Sequence, residues 1–181
     1  MARISIPRRK RIFVGTEGQS ERSFAAWLQS SCDDAGLHVH LDVRVGTGGD
    51  SLAIAEYATQ EYKKRSSQFG LFGAAAVLLD ADRLKEDLAY GRDPRPVLGV
   101  VGITPIFLRP TLEGVLVRLH EGQESRDLNT STVKKVLLNL WPDYKKPCPA
   151  IKLQKRFSVK DMRRAAKYDD ELKKLFRILG L

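Results

Sequence analysis

The sequence predicts an α/β fold: a mostly parallel four-stranded sheet flanked by helices, with a basic helical C-terminal extension. Three observations predict it. Strand-like and helix-like segments alternate as β-α-β-α-β-α-β-α between residues 12 and 119, the pattern of a parallel sheet covered by helices. The apolar run at residues 75–79 is continuous, as in a strand buried on both faces, and it ends on Asp80. Beyond residue 125 the patterning is helical only, and lysines and arginines crowd residues 145–167. The expected division is an α/β core in residues 1–125 and a basic helical extension, packed on that core, in residues 126–181.

Each element has a local cause. A basic cluster, Arg8, Arg9, Lys10 and Arg11, precedes a short apolar strand at 12–14. The polar turn Gly15-Thr16-Glu17-Gly18-Gln19-Ser20-Glu21 follows, and Ser20 is the expected N-cap of a helix. Phe24, Trp27 and Leu28, at i, i+3 and i+4, make that helix amphipathic. Glu17 then lies just past a strand end, where a carboxylate is either solvated or partnered. Glu21 reads as an exposed acid in the first helical turn. Residues 39–45 alternate Val, Leu, Val, Val with His40, Asp42 and Arg44, a half-exposed strand. His38 and His40 share a face there and read as an exposed pair in preference to a metal pair. Gly46-Thr47-Gly48-Gly49-Asp50-Ser51 is a turn capping a helix over about 52–65; no Gly-Lys-Ser/Thr follows, so it is not a P-loop.

After Asp80, residues 84–90 form a short helix and 91–96 a loop. The apolar stretch 97–108 holds the fourth strand, centred on 103–108 and broken by Pro110. Thr111 caps a helix carrying Leu112, Val115, Leu116 and Leu119, with Glu113 in its first turn. Residues 130–140 are helical, and Ser158 with Asp161 resembles a capping box opening helical sequence that runs to Leu179, with Gly180 as the stop.

Composition narrows the function classes. The chain has 181 residues and a formal net charge of +9, which suits one domain with an appendage and favours polyanionic partners, nucleic acid first. A Lys-rich soluble surface is the plainer reading. Cys32 and Cys148 have no CxxC spacing, so neither a zinc site nor a disulfide framework is indicated. No apolar run approaches a membrane span, and the positive N-terminus lacks an apolar segment after it, so it is not a secretory signal. No membrane partner is expected, and the expected location is cytoplasmic.

The chemistry concentrates at strand ends. If the chain stays extended past Asp80, then Asp80 and Asp82 point the same way. Such a pair is costly to hold together unless a cation sits between them. Open α/β sheets place ligands at this edge. If the strands that end near Glu17 and Asp80 are neighbours, three carboxylates converge, a set suited to Mg²⁺ or Mn²⁺ and through them to phosphate oxygens. Basic surface nearby would hold the rest of a nucleic-acid backbone. Asp-x-Asp also occurs in haloacid-dehalogenase-type phosphatases and in nucleotide-sugar glycosyltransferases, but here it is mid-chain, followed by Arg83 and Leu84, and neither class accounts for Glu17.

Ile12-Phe13-Val14-Gly15-Thr16-Glu17-Gly18, taken with Val77-Leu78-Leu79-Asp80-Ala81-Asp82-Arg83, resembles the two signature strands of the TOPRIM domain of topoisomerases, primases and OLD-type nucleases. Glu17-Gly18-Gln19-Ser20-Glu21 is similar to the Glu-Gly-x-x-Glu of the RloB-like group associated with bacterial defence. Pro110-Thr111-Leu112-Glu113 matches a later segment of that group in Pro and Glu, with Leu112 and Val115 replacing its aromatics. His120 is displaced by one residue from the group's His. Tyr144-Lys145-Lys146 corresponds to its Tyr-x-Lys.

The resemblance spans residues 11–146. It implies a TOPRIM-like (Rossmann-like) fold and a Mg²⁺- or Mn²⁺-dependent nuclease cleaving DNA or RNA, in anti-phage defence. Asp80 and Asp82 would be metal ligands, and Glu17 the general acid/base or a further ligand. Glu113 would complete a second metal site, against the plainer reading of a helix-dipole acid. Lys146 would neutralise the scissile phosphate. Arg8, Arg9, Lys10, Arg83, Lys145, Lys155 and Arg156 are the expected nucleic-acid contacts. The alternative is a nucleic-acid-binding or protein-partner module of a defence system without turnover.

Overall fold

A computed structural model describes residues 8–181; the first seven residues of the basic N-terminal stretch lie outside it. Four strands, β1 (Lys10–Thr16), β2 (Val39–Val45), β3 (Ala74–Asp80) and β4 (Thr104–Leu108), form one sheet in the order β2-β1-β3-β4. Every pairing is parallel. The sheet is therefore fully parallel and α/β in class.

Side-chain alternation along the central strands sends apolar residues to both faces. On one face, Ile12, Val14, Ala76, Leu78, Ile106 and Leu108 pack under α1 (Gln19–Asp34) and α5 (Leu112–Arg118). On the other, Phe13, Val77, Leu79 and Phe107 meet Ile54, Ala55 and Ala58 of α2 (Ser51–Phe69). Leu98 completes that layer from α4 (Pro94–Val100), which follows the short α3 (Leu84–Ala89). Gly15 permits the close approach: a Cβ there would stand 2.9 Å from Val77 Cγ2 and 3.1 Å from Ala58 Cβ.

The C-terminal helices are α6 (Thr130–Leu140), α7 (Ala150–Arg156), α8 (Val159–Ala165) and α9 (Asp170–Leu179). Val133, Leu137, Leu153, Phe157, Leu172 and Leu175 join the same apolar layer as β1 and α1. Phe157 meets Trp27 with ring centroids 6.2 Å apart. These helices also help close the sheet. Glu171 of α9 accepts the outward N–H of Phe107 on edge strand β4 at 3.0 Å. On the opposite edge, Gln29 of α1 accepts from Leu41 N at 2.7 Å. Both sheet edges thus have side chains bonded to outward backbone groups that would otherwise invite another strand.

Three local expectations change. Helix α1 begins at Gln19 with Gly18 as N-cap, and Ser20 is buried inside the first turn. Pro94–Val100 is helical where a loop over 91–96 was expected, because Asp93 caps it at 3.0 Å through Arg95 N and Pro94 occupies a first-turn position that needs no N–H donor. The helical sequence after Ser158 breaks into two, since Asp169 recruits Glu171 N and Leu172 N and starts α9 afresh. The Ser158–Asp161 capping box is present as read.

Candidate functional site

Strand order places the chemistry. Chain connections run outward from β1 to β2 in one direction and from β3 to β4 in the other, so the sheet's switch point lies between β1 and β3. Doubly wound sheets bind ligands in the crevice that opens there, at the carboxyl ends of the strands. Thr16 pairs with Leu78 across this boundary. Glu17 and Asp80, each just beyond that pair, therefore end adjacent strands on the same edge.

They line one pocket of about 310 Å³ with Gly18, Gln19, Ser20, Glu21, Gly48, Lys146 and Pro147. Asp80 is held in place by Leu112 N–H, which donates to its Oδ1 at 2.9 Å. The turn after it is tied down as well, Ala81 N donating to Leu108 O and Pro110 O. Burial, then the charges of Glu21 and Glu17, push the Asp80 carboxyl up to about 8 against the opposing pull of Leu112 N–H and Lys146. Glu17 is raised as well, by burial first and then by Glu21. A crowded set of acids of this kind retains a proton near neutral pH that a cation would displace.

Glu21 corrects the sequence reading. Expected to be an exposed first-turn acid, it is only 4% exposed, lines the pocket, and perturbs Asp80 more than Glu17 does. Local sequence offered no signal for this, because the pocket's other walls, Asp80 and Lys146, come from distant parts of the chain.

Asp82 is a second correction. Strand β3 stops at Asp80 and the chain turns at Ala81, so the i, i+2 alignment that requires extended backbone is lost. Asp82 is exposed and does not line the pocket, although its charge still contributes to raising Glu17. Among the described residues no three His, Cys, Asp or Glu side chains are grouped to hold a metal ion. The donor chemistry of Glu17, Glu21 and Asp80, all hard oxygens, fits Mg²⁺ or Mn²⁺; their present side-chain positions do not converge.

Lys146 forms the far wall, with Glu113 behind it. Glu113 is buried; its Oε2 accepts from Thr111 Oγ1 at 2.8 Å, and its Oε1 takes Lys146 Nζ at 3.0 Å and Tyr144 OH at 3.4 Å. Burial pushes Glu113 up, but Thr111 and Lys146 outweigh it and hold the carboxyl below its ordinary value. Both oxygens are thus engaged within the protein. Lys146 is desolvated, yet Glu113, Asp80 and Glu21 together keep it firmly protonated. Glu113 acts as its tether, leaving the ammonium facing the acids.

The expected nucleic-acid contacts separate. Arg83 and Lys145 are exposed on the pocket's edge of the sheet. Arg8, Arg9 and Lys10 lie at the start of β1, on the opposite edge, and Arg9 pairs with Asp33 at 3.1 Å. Lys155 is exposed on α7. Arg156 is used internally: its Nε donates to His120 Nε2 at 2.9 Å, its Nη2 donates to Leu140 O, and its guanidinium lies 4.8 Å from the Trp141 ring centroid. His120 in turn places Nδ1 2.9 Å from Leu116 O, and burial lowers its pKa, so it is a neutral packed group. His38 and His40 are exposed, as expected.

No helix among the described residues is long and apolar enough to cross a membrane. Compared with protein-family models, curated proteins and solved structures, the chain matches none of them.

Proposed function

We propose that the pocket at the β1/β3 switch point is the centre of a metal-dependent phosphodiesterase of the TOPRIM type, acting on DNA or RNA. The observation that carries this reading is one pocket lined by Glu17 and Asp80 from adjacent strand ends, by Glu21 of α1 and by the tethered Lys146. Glu17, Glu21 and Asp80 would hold Mg²⁺ or Mn²⁺, which when bound supplies charge neutralisation at phosphate and a more acidic water. Leu112 N–H fixes the orientation of Asp80. Glu17, with its raised pKa, is suited to move a proton at the reacting oxygen. Lys146 binds a phosphate oxygen, as a mobile point charge held in reach by Glu113. The resemblance to the RloB-like group is what suggests a role in bacterial defence.

The test is cleavage of labelled DNA and RNA by the pure chain with Mg²⁺, Mn²⁺ or EDTA. Metal-dependent cleavage lost in Asp80→Asn supports the reading, and equal cleavage by that variant sinks it. A second reading, a nucleic-acid- or partner-binding module without turnover, draws on the outward position of Asp82 and the unconverged donors. It expects salt-sensitive binding and no products under any metal condition.

A further inference from the structure

A pocket larger than the acidic one lies elsewhere in the molecule. A groove of about 560 Å³ opens between α8 and α9, and Arg163, Lys167, Lys173 and Arg177 surround a floor of Ala166 and Phe176. No Asp or Glu side chain is among the residues that line it, and Leu181 completes the lining. Neighbouring cations on the same helices are paired, Arg164 with Glu124 and Asp161, Lys174 with Glu171. Among the described residues, the four cations of the groove have no ion pair or side-chain hydrogen bond.

Such an arrangement costs stability unless an anion enters it. Lys173 and Arg177 are like charges at i, i+4, a destabilising spacing. They stand about 6 Å apart along the helix axis, close to the spacing of successive phosphates along one strand. The groove also continues into other basic surface. The end of α9 reaches the α1–β2 turn, where a Cβ on Gly180 would lie 3.9 Å from Leu37 Cδ1. The next residue, His38, accepts from Lys10 N at 2.7 Å. The end of the groove at Leu181 thus points toward the edge of the sheet where the Arg8–Lys10 cluster lies. Helix α9 starts at the carboxyl end of β4, where Glu171 meets Phe107 N and Arg109, and none of the groove's lining residues is shared with the acidic pocket.

From this geometry we infer that the α8–α9 groove is a binding site for the phosphodiester backbone of a single nucleic-acid strand, separate from the acidic pocket. Charge complementarity selects a polyanion. The apolar floor is recessed, with Phe176 4% exposed, so no side chain there is available to insert into a bilayer. Tyr168, next to Lys167 in sequence, is 64% exposed but lines a separate pocket with Glu124, Asp127, Asp169 and Asp170, so the strand is selected by the charge and spacing of the groove's own cations. Binding here does not require that the acidic pocket cleave.

The experiment is anisotropy of a labelled single-stranded oligonucleotide with the full chain in EDTA, from about 50 to about 200 mM salt. The Lys173→Gln/Arg177→Gln double variant is expected to bind at least roughly 10-fold more weakly and to flatten the log–log salt slope by about 1.4, about 0.7 per lost contact. Tyr168→Ala, which alters the neighbouring pocket and not the groove, is expected to leave affinity and slope unchanged. Arg163→Gln is read in parallel, and melting curves confirm that each variant is folded. Unchanged affinity and slope in the folded double variant and in Arg163→Gln overturns the inference. So does binding of phosphatidylserine vesicles or inorganic triphosphate through Lys173 and Arg177 while oligonucleotide binding persists without them. Because the readout is binding in EDTA, its failure is distinct from a failure of cleavage.

Discussion

Asp42 and Asp80 are aspartates of the same sheet in opposite surroundings. Asp42, within β2, is buried and receives Arg65 Nε and Nη2 at 2.9 and 2.8 Å, Arg11 Nη2 at 3.0 Å and Arg44 Nη2 at 3.0 Å. Burial pushes it up, but the hydrogen bonds from Arg65 and Arg11 and the charge of Arg44 more than offset this, and its pKa stays below the ordinary value. Asp80 has one backbone N–H and two facing carboxylates, and its pKa rises to about 8. At Asp42 the fold gains from a charge. At Asp80 the fold resists one, the pattern expected where stability has been traded for a ligand site.

The contrast can be tested by removing each group. Asp42→Ala leaves three arginines around an empty acceptor and is expected to cost about 3 kcal/mol, measured by urea unfolding; a cost near zero would mean that the cluster is ornamental.

Asp80→Asn is expected to act with the opposite sign, stabilising the metal-free protein by about 2 kcal/mol at pH 8 after allowance for the solvent that the pocket admits. The sign follows from linkage. The folded-state pKa, about 8, lies above the ordinary 3.8. Between those values the native state holds the extra proton, so wild-type stability falls as pH rises through the window. The advantage of the variant should therefore vanish near pH 4. Mn²⁺ should raise the melting temperature of wild type and not that of Asp80→Asn; equal shifts would remove Asp80 from the metal set.

Gly114→Ala probes the scaffold that orients Asp80. A Cβ there would overlap Arg109 O and lie 2.6 Å from Pro110 Cδ, displacing the α5 turn that supplies Leu112 N–H. A loss of about 1–3 kcal/mol is expected, with weaker cleavage at equal folded fraction. The smallest effect belongs to Lys146→Gln. Its side chain is 49% exposed, so stability should change by less than about 1 kcal/mol, while a rise in KM would report its phosphate contact.

Much of the architecture was legible from local pattern. The continuous run into Asp80 and the Ser158–Asp161 capping box appear in the structure as read, and Val39–Val45 is a strand, but its alternation fails at Asp42, which is buried among arginines where an exposed residue was expected. The Asp93-Pro94 helix start was equally visible as a cap followed by proline, and was missed because the segment after it reads as an apolar strand. Glu21 could not be placed in the same way. Its burial depends on β3 and the Lys146 loop closing over the first turn of α1, and those groups are distant in sequence.

By itself, the sequence determined the four strands, the sites of most helices and the position of Asp80 at a strand end, because hydrophobic period and capping act between near neighbours in the chain. Tertiary structure alone decided that β1 and β3 are adjacent, that Glu21 turns inward and Asp82 outward, and that the basic residues divide between two edges of the sheet. Those outcomes depend on desolvation and charge across contacts that the linear chain does not encode locally, and they decide which acids can act together.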